Sequence, residues 1–400
     1  MNVRVLYSGS IYDRNGLAKI VRTFADHANI LKEESGHDIF VTDSKIVETK
    51  NVSTPNRSFI AFLKEQLHKH LNPKILNKYS QSYLGTKRHV EKRFWESRKT
   101  FINQYNALNY EDDAFIFHDI FTCWAYVNSC LNKHQTVRKF ILVIHSNGEV
   151  FKMLLIRFPI LKGKVYQHEM NARAELCLKY ASFIIFVSNV SAQTFKKNHP
   201  EFANKVRVIW NGIPSNVICS EPIFDGKVRM ITVGTVCSRK NQIAIIKSLK
   251  RIRNSIDASL TVVGGGTALN DCKQCAKSLN VEQWVNFLGP CDDVSGQLTK
   301  CNLFVMSSLD EGLPISAIEA MKAKLPLILT DVGGCRELIN GNGFLIKPEL
   351  NELSNAIIEF GKDVERQKEM SKVSYQLFQQ KFTLEKMLES YGKLIKELLV

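Results

Sequence analysis

Short apolar runs alternate with longer amphipathic segments along nearly the whole chain. The apolar runs span residues 3–7, 39–42, 114–117, 140–144, 183–187 and 206–209 in the first half, and 228–233, 260–263, 285–288, 303–306 and 325–329 in the second. Runs of this length, bounded by turn residues, are typical of buried parallel strands. The segments between them have helical spacing, and strands that alternate with helices form doubly wound α/β sheets. We therefore predict two doubly wound parallel-sheet domains, residues 1–215 and 216–383, which face each other across a cleft, and a final helix within 384–400.

The stretch after the run at 303–306 has the spacing of a phosphate-binding unit. Gly312 and Pro314 end the strand, and residues 315–324 continue as a helix. A strand, a tight loop and a helix N-terminus together form the geometry that receives phosphate groups. Glu319 lies five residues past Pro314, about 7–8 Å along the helix axis, which is a suitable reach for the ribose of a nucleotide. Glu311 lies where a sugar attached to the diphosphate would lie. On spacing alone, a capped helix with two solvated acids fits equally well.

Other strand ends carry polar residues or glycines in the same arrangement. His145 follows the run at 140–144 and should point toward the cleft, because open parallel sheets bind ligands at the carboxyl ends of their strands. His118 follows the run at 114–117 and is a weaker candidate. Gly16 lies in the polar loop after the first run, and Gly234 follows the run at 228–233. A structural role for a strand-end histidine, or a plain surface turn at Gly16, remains the alternative at each position.

Two stretches of the second half resemble a known family. Residues 311–321 read Glu-Gly-Leu-Pro-Ile-Ser-Ala-Ile-Glu-Ala-Met, and residues 325–338 read Leu-Pro-Leu-Ile-Leu-Thr-Asp-Val-Gly-Gly-Cys-Arg-Glu-Leu. They resemble the E-x7-E region of retaining glycosyltransferases of family 4, the glycosyl transferases group 1 type. This family has the GT-B fold, in which two Rossmann-like domains face each other across a cleft. The similarity continues through most of the chain, including Asn-Gly-Ile-Pro at 211–214.

The resemblance implies a retaining transfer of a sugar from a nucleotide diphosphate sugar, with UDP weakly favoured. The implied acceptor is a hydroxyl of a lipid-linked glycan or a surface polysaccharide, and the last helix is expected to cross back to the first domain. The implied catalytic residues are His145, Lys240, Arg239 and Glu311. The implied donor-binding residues are Gly16, Gly234, Thr235, Lys240, Glu311, Gly312, Leu313, Pro314 and Glu319.

Two positions depart from the family pattern. The family often carries two adjacent glycines in the first loop, where this chain has Asn15 and a single Gly16. The family also has an arginine directly after the glycine that matches Gly234, where this chain has Thr235. Arg239, beside Lys240, is the candidate to supply the missing cation. Two cations would neutralise a departing diphosphate better than one.

The net charge of +15 is concentrated in one segment. Residues 51–100 contain 11 Lys and Arg residues against 3 acidic ones, with aromatic and aliphatic residues interleaved. A basic amphipathic segment of this kind can attract anionic lipid headgroups, and a phosphorylated acceptor or a nucleic acid is also compatible with its charge. An ordinary basic helix pair packed on the domain is the alternative. We expect a peripheral contact with an anionic membrane surface and no nucleic-acid partner.

The composition and motifs of the chain indicate in which cellular compartment it acts and whether it needs a metal ion. Ten cysteines lack the spacing of a disulfide framework, the N-terminus turns polar too soon for a signal peptide, and no apolar run approaches 18 residues. We expect a cytoplasmic protein at the inner face of the cell membrane. The chain contains no Asp-x-Asp, so we expect a transfer that requires neither a metal nor another cofactor. An epimerase or phosphorylase of the same fold and a catalytically idle sugar-nucleotide or nucleic-acid binding protein are the alternatives.

Overall fold

The computed structural model describes residues 1–13, 15–50, 79–216 and 220–400, and these residues form two parallel sheets of six strands each. The part of the basic segment at 51–78 lies outside the described residues. The strands are β1 Asn2–Tyr7, β2 Asp38–Asp43, β3 Ala114–Phe117, β4 Lys139–Ile144, β5 Phe183–Phe186, β6 Val206–Val208, β7 Val228–Val233, β8 Ala258–Val263, β9 Val285–Gly289, β10 Leu303–Met306, β11 Leu327–Thr330 and β12 Gly343–Ile346.

Helices cover both faces of each sheet. Those of the first domain are α1 Gly16–Asp26, α2 Ala28–Ser35, α3 Ser44–Lys50, α4 Tyr83–Val90, α5 Ser97–Asn106, α6 Ile120–Asn132, α7 Lys152–Arg157, α8 Val165–Tyr180 and α9 Asn189–Asn198. Those of the second are α10 Gln242–Ile252, α11 Leu269–Ser278, α12 Val294–Leu298, α13 Ile315–Lys322, α14 Leu350–Gly361, α15 Val364–Lys381 and α16 Leu384–Leu399. A π-helical segment, Glu91–Glu96, joins α4 to α5.

The strand orders confirm the predicted fold class. The first sheet has the order β2-β1-β3-β4-β5-β6 and the second β12-β11-β10-β7-β8-β9, with every pairing parallel. Strands such as β3 and β10 are buried along their whole length, as expected where helices cover both faces of a sheet. In each sheet, strands are added first on one side of the first strand of the domain and then on its other side. The carboxyl ends of β1 and β7 therefore border the two crevices where ligands bind in such folds.

Several element boundaries differ from the prediction. The first helix begins at Gly16, inside the predicted loop, because the Asn15 side chain accepts a hydrogen bond from the Ala18 amide at 2.8 Å and caps it. Helix α13 ends at Lys322, two residues earlier than predicted, and Lys324 then adopts a left-handed conformation with φ of 60°. Pro314 is the N-cap of this helix and not part of its first turn. Strand β12 was not predicted.

The last helix lies against the first domain. Its apolar residues recur every three or four positions, so one face of α16 is buried. Gly392 permits this packing, since a Cβ there would lie 2.4 Å from the Cβ of Glu34 in α2. The chain therefore crosses between the domains twice, near Ile213 and again near Thr383. The two crossings are hydrogen-bonded to each other. The Ile213 amide donates to the Phe382 carbonyl at 3.1 Å, and the Leu384 amide donates to the Ile213 carbonyl at 2.9 Å. Within the described ranges, no helix combines the length and the apolar character needed to span a bilayer.

Candidate active site

A cleft of about 1230 Å³ lies between the domains, at the carboxyl ends of both sheets. All the catalytic and donor-binding residues implied by the resemblance line it, although they come from loops far apart in the chain. From the first domain these are Gly16 and His145, and from the second Gly234, Thr235, Arg239, Lys240, Glu311, Gly312, Leu313, Pro314 and Glu319. The structure thus brings the predicted residues together; their roles remain predictions.

Glu311 is buried between two cations. Its Oε1 lies 2.6 Å from Nζ of Lys240 and 3.0 Å from Nη1 of Arg239, and its side chain is only 8% exposed. Burial by itself would raise the pKa of Glu311, but the charges of Lys240 and Arg239 outweigh burial and hold the pKa below its usual value. Glu311 is therefore ionised at neutral pH, and the three groups together carry one net positive charge toward the cleft.

The backbone around this cluster explains how Arg239 reaches it. Arg239 donates from Nη1 to the Asp310 carbonyl at 2.5 Å, and the Leu309 amide donates to the Arg239 carbonyl at 2.8 Å. The loop after β7 and the loop after β10 are thereby joined by hydrogen bonds. Thr235, which stands where the family has an arginine, accepts from the Gln242 side chain through its carbonyl at 3.1 Å. Arg239 thus provides the second cation beside Glu311.

The N-terminus of α13 faces the cleft. Residues 312–316 line the cleft, and no side chain caps the helix, so its first amides are available to an anion. Glu319, in the second turn, accepts from Nζ of Lys19 in α1 at 2.7 Å, which links the two domains. Gly16 approaches the same helix, since a Cβ at Gly16 would lie 3.2 Å from Cδ1 of Ile315. Gly16, the first residue of α1, therefore lies at the contact between the domains.

Two strand-end histidines lie side by side in the first domain. Nδ1 of His118 is 3.1 Å from Nε2 of His145, and the rings are inclined by 24°. Burial lowers the pKa of His145 to about 4, and burial together with the neighbouring His145 lowers the pKa of His118 well below its usual value. Both rings are therefore neutral at pH 7. His145 lines the cleft, whereas His118 is 2% exposed and lies behind it.

The sequence did not indicate a second set of residues that joins the domains. Glu337 accepts hydrogen bonds from three donors of the first domain: Nε1 of Trp210 at 2.7 Å, the Val190 amide at 2.9 Å and Nδ2 of Asn189 at 3.0 Å. Glu337 belongs to the Gly-Gly-Cys-Arg-Glu segment that carries part of the resemblance, and its position after two glycines is the only signal in the sequence. These bonds fix the rotation of the second domain relative to the first beside the cleft.

A further contact between the domains involves a buried carboxylate. Asp310 accepts a hydrogen bond from Nδ2 of Asn147, which follows His145 in the first domain. Asp310 is 1% exposed, and burial raises its pKa, although Lys152 and Arg239 act in the opposite direction. In the described parts of the chain, no cluster of three or more His, Cys, Asp or Glu side chains is arranged to hold a metal ion.

Comparison with known proteins agrees with this geometry. Residues 218–377 match the family described as "Glycosyl transferases group 1". The O-antigen biosynthesis glycosyltransferase WbnH of Escherichia coli is 31% identical over 167 residues, which are 42% of this chain and 47% of WbnH. The UDP-Gal:alpha-D-GlcNAc-diphosphoundecaprenol alpha-1,3-galactosyltransferase of Escherichia coli is 31% identical over 131 residues, 31% of this chain and 33% of that protein. The chain spans about half the length of the curated relatives it matches, or less.

The similarity to solved structures extends over the whole chain. Anabaena Alr3699/HepE, solved in complex with UDP and glucose, superposes with a TM-score of 0.68 at 15% sequence identity and covers 100% of both chains. At this identity the likeness concerns the fold. Residues 218–377 thus match the glycosyl transferases group 1 model, within a chain that has the two-domain GT-B fold.

Proposed function

We propose that this chain is a retaining, metal-independent glycosyltransferase that moves a sugar from a nucleotide diphosphate sugar, with UDP-sugars as the first candidates. The acceptor would be a hydroxyl of a lipid-linked glycan or a surface polysaccharide. One observation carries the proposal: Lys240 and Arg239 line one cleft with the uncapped N-terminus of α13, with Glu311 between the two cations and Glu319 in the second turn of the helix. The similarity to an O-antigen biosynthesis glycosyltransferase and to a galactosyltransferase that uses UDP-Gal, and the UDP bound to HepE, support this class of donor and acceptor.

The cations and the helix N-terminus would stabilise the leaving diphosphate. Charge develops on the diphosphate as the bond to the sugar breaks, and fixed positive groups in a cleft stabilise it without reorganising. Lys240 and Arg239 are 13% and 24% exposed, so both can reach a ligand while remaining partly desolvated. Transfer should therefore continue in EDTA. Complete loss of transfer in EDTA, restored by Mg²⁺ or Mn²⁺, would refute metal independence.

Glu311 and His145 would orient the sugar. Glu311 is held ionised and can accept hydrogen bonds from sugar hydroxyls, while His145 is neutral and can donate one without adding charge. In the proposed reaction the bond between C1 and the phosphate oxygen breaks as the acceptor oxygen bonds to C1 from the same face. The acceptor proton passes to the departing phosphate oxygen. Proton NMR of the first product linkage tests this step, and an inverted anomeric configuration would end the claim of retention.

The first domain carries a surface suited to a lipid-linked acceptor. Leu84 of α4 and Val165 of α8 are 65% and 71% exposed, and the Tyr166 amide donates to Oη of Tyr83, which brings the two helices together. Exposed apolar side chains beside Lys87 and Arg88 of α4 fit an anionic membrane surface. Flotation with vesicles containing anionic lipid should recover the protein, and a Leu84→Ser/Val165→Ser variant should float less. Equal flotation on neutral vesicles would contradict the charge argument.

Glu319 gives the sharpest test of nucleotide binding. Removing a carboxylate that accepts ribose hydroxyls should cost roughly 1.5–3 kcal/mol per hydrogen bond, so Glu319→Ala should bind UDP at least tenfold more weakly. Lys19→Met is the matched control, because it breaks the ion pair between Lys19 and Glu319 but keeps the carboxylate. Donors are first identified by thermal shift with a panel of sugar nucleotides and then assayed for transfer. Hydrolysis or epimerisation of the donor without an acceptor would favour another enzyme class.

A further inference from the structure

The buried histidine behind His145 has no role in the reaction described above. His118 follows β3 and His145 follows β4, and these strands are neighbours in the first sheet. The only hydrogen-bonding contact of the His118 ring among the described residues is with His145, at 3.1 Å. The other ring nitrogen of His118, Nε2, is buried and has no hydrogen-bond partner in the described part of the chain.

The unpartnered nitrogen decides which ring donates. Two neutral imidazoles share one hydrogen in this contact. If His145 donated from Nε2, the hydrogen of His118 would have to sit on its own Nε2, as a buried N–H without an acceptor. Buried N–H groups without a partner are rare in proteins. If His118 donates from Nδ1, its Nε2 carries only a lone pair, and the buried His118 ring has no unpaired N–H.

We propose that His118 is a positioning residue that donates from Nδ1 to Nε2 of His145 and so holds His145 in the tautomer with its hydrogen on Nδ1. The ring of His145 then offers Nδ1–H as a donor to a hydroxyl oxygen of the sugar bound in the cleft. Without His118, the His145 ring can rotate or exchange tautomer and present an acceptor in place of a donor. This inference rests on the proposed function for its effect on catalysis, but the tautomer itself does not depend on that function.

The packing around His118 keeps its ring in place. The ring of Phe24, from α1, meets His118 edge to face with centroids 5.2 Å apart, and Tyr391 of α16 meets Phe24 in the same way at 4.8 Å. All three side chains are almost fully buried. The helix that returns from the second domain therefore supports the histidine pair from behind, and His118 has little freedom to turn away from His145.

Nitrogen-15 NMR of the histidine-labelled protein tests the tautomer directly. The signals of His145 are assigned by their loss in His145→Gln. We expect the hydrogen of His145 on Nδ1 in the parent protein, and a mixture or the Nε2–H form in His118→Leu. Observation of the Nε2–H form in the parent protein overturns the proposal, whether or not the protein transfers sugar.

Kinetics with the donor and acceptor identified above test the consequence. His118→Leu should lower kcat at least tenfold with little change in the donor KM, and His118→Asn, whose amide nitrogen can donate from the position of Nδ1, should recover most of the loss. Tyr391→Phe is the packing control and should retain the parent kcat. An unchanged kcat in His118→Leu overturns the positioning role. Absence of transfer by the parent protein with every sugar nucleotide would instead overturn the proposed function, while the NMR result would still decide the tautomer.

Discussion

Replacing Glu311 with glutamine should separate stability, nucleotide binding and transfer. The carboxylate is buried and forms two short ion pairs, with Lys240 and Arg239. Glutamine keeps the shape of the side chain and one oxygen acceptor, but the two charge-assisted contacts become contacts between a neutral group and a cation. Removing one partner of a buried ion pair costs about 3–5 kcal/mol, whereas the glutamine oxygen can still accept one hydrogen bond from a cation, which contributes about 1.5–3 kcal/mol. We therefore expect Glu311→Gln to lower the free energy of unfolding by about 2 kcal/mol.

The same change should act in the opposite direction on UDP. The net charge of the three groups rises from one positive charge to two, and the diphosphate of UDP is an anion, so UDP should bind with an equal or lower Kd. Transfer should nevertheless become slower, because hydrogen bonds between the carboxylate and the sugar hydroxyls are lost. A loss of 1.5–3 kcal/mol in the transition state corresponds to about a 10- to 100-fold lower kcat.

Three measurements on one protein preparation test this reasoning. Thermal unfolding of the second domain should shift down by about 4–8 °C, since 1 kcal/mol shifts a domain of this size by about 2–4 °C. Calorimetry gives the Kd of UDP, and initial rates give kcat. Glu359→Gln is the matched control: its ion pairs with Lys362 and Arg366 are exposed, so its unfolding temperature should stay close to that of the parent. A tenfold weaker affinity of Glu311→Gln for UDP would refute the argument, because Glu311 would then belong to the nucleotide site.

Three further substitutions test the contacts that join the domains. Gly312→Ala should abolish most transfer while each domain stays folded by circular dichroism, because the added Cβ would lie 2.1 Å from the His145 carbonyl oxygen and must push the domains apart. Burial raises the pKa of Asp310, so the contribution of this side chain to the free energy of unfolding is present below pH 3.8 and is lost as the pH rises through the raised pKa. In denaturant titrations, Asp310→Asn should therefore be more stable than the parent near pH 7 and nearly equal to it below pH 3.8. Glu337→Ala should change the fluorescence of Trp210, whose indole N–H donates to the removed carboxylate, and should lower transfer by loosening the domains; unchanged emission would contradict this contact.

The sequence predicted most of the strands because each is a short, mainly apolar run bounded by turn residues. It also predicted that His145, Lys240 and Glu311 face the cleft, since parallel strands place their carboxyl ends at one edge of each sheet and ligands bind there. It placed Gly16 in a loop, whereas α1 begins there, because the capping side chain of Asn15 adds a polar first turn. Strand β12 is short and only partly buried, so its apolar signal is weak.

The contacts between domains could not be predicted in the same way. Periodicity reports which face of an element is buried, but not which residue of another domain meets it. The pairing of Lys19 with Glu319 and of Glu337 with Trp210 depends on the relative rotation of two separately folded sheets. Single glycines such as Gly312 are equally common in surface turns, and only the position of the opposing His145 carbonyl shows why a side chain is excluded there.

The contacts that hold the two domains together across the cleft differ in the free energy needed to break them. The pair of Lys19 and Glu319 is 45% and 20% exposed, and exposed ion pairs contribute only about 0–1 kcal/mol, so this contact is inexpensive to break. The hydrogen bonds that Glu337 accepts are charge-assisted, and one of them comes from Trp210. Trp210 is two residues from Gly212, where the two chain crossings are so close that a Cβ would lie 2.2 Å from the Thr383 carbonyl oxygen. Opening should therefore begin at the Lys19 contact and leave the Glu337 contact in place. A donor can then enter the cleft. The two hydrogen-bonded crossings keep the domains aligned, so Glu311 and His145 return to the same relative position when the cleft closes.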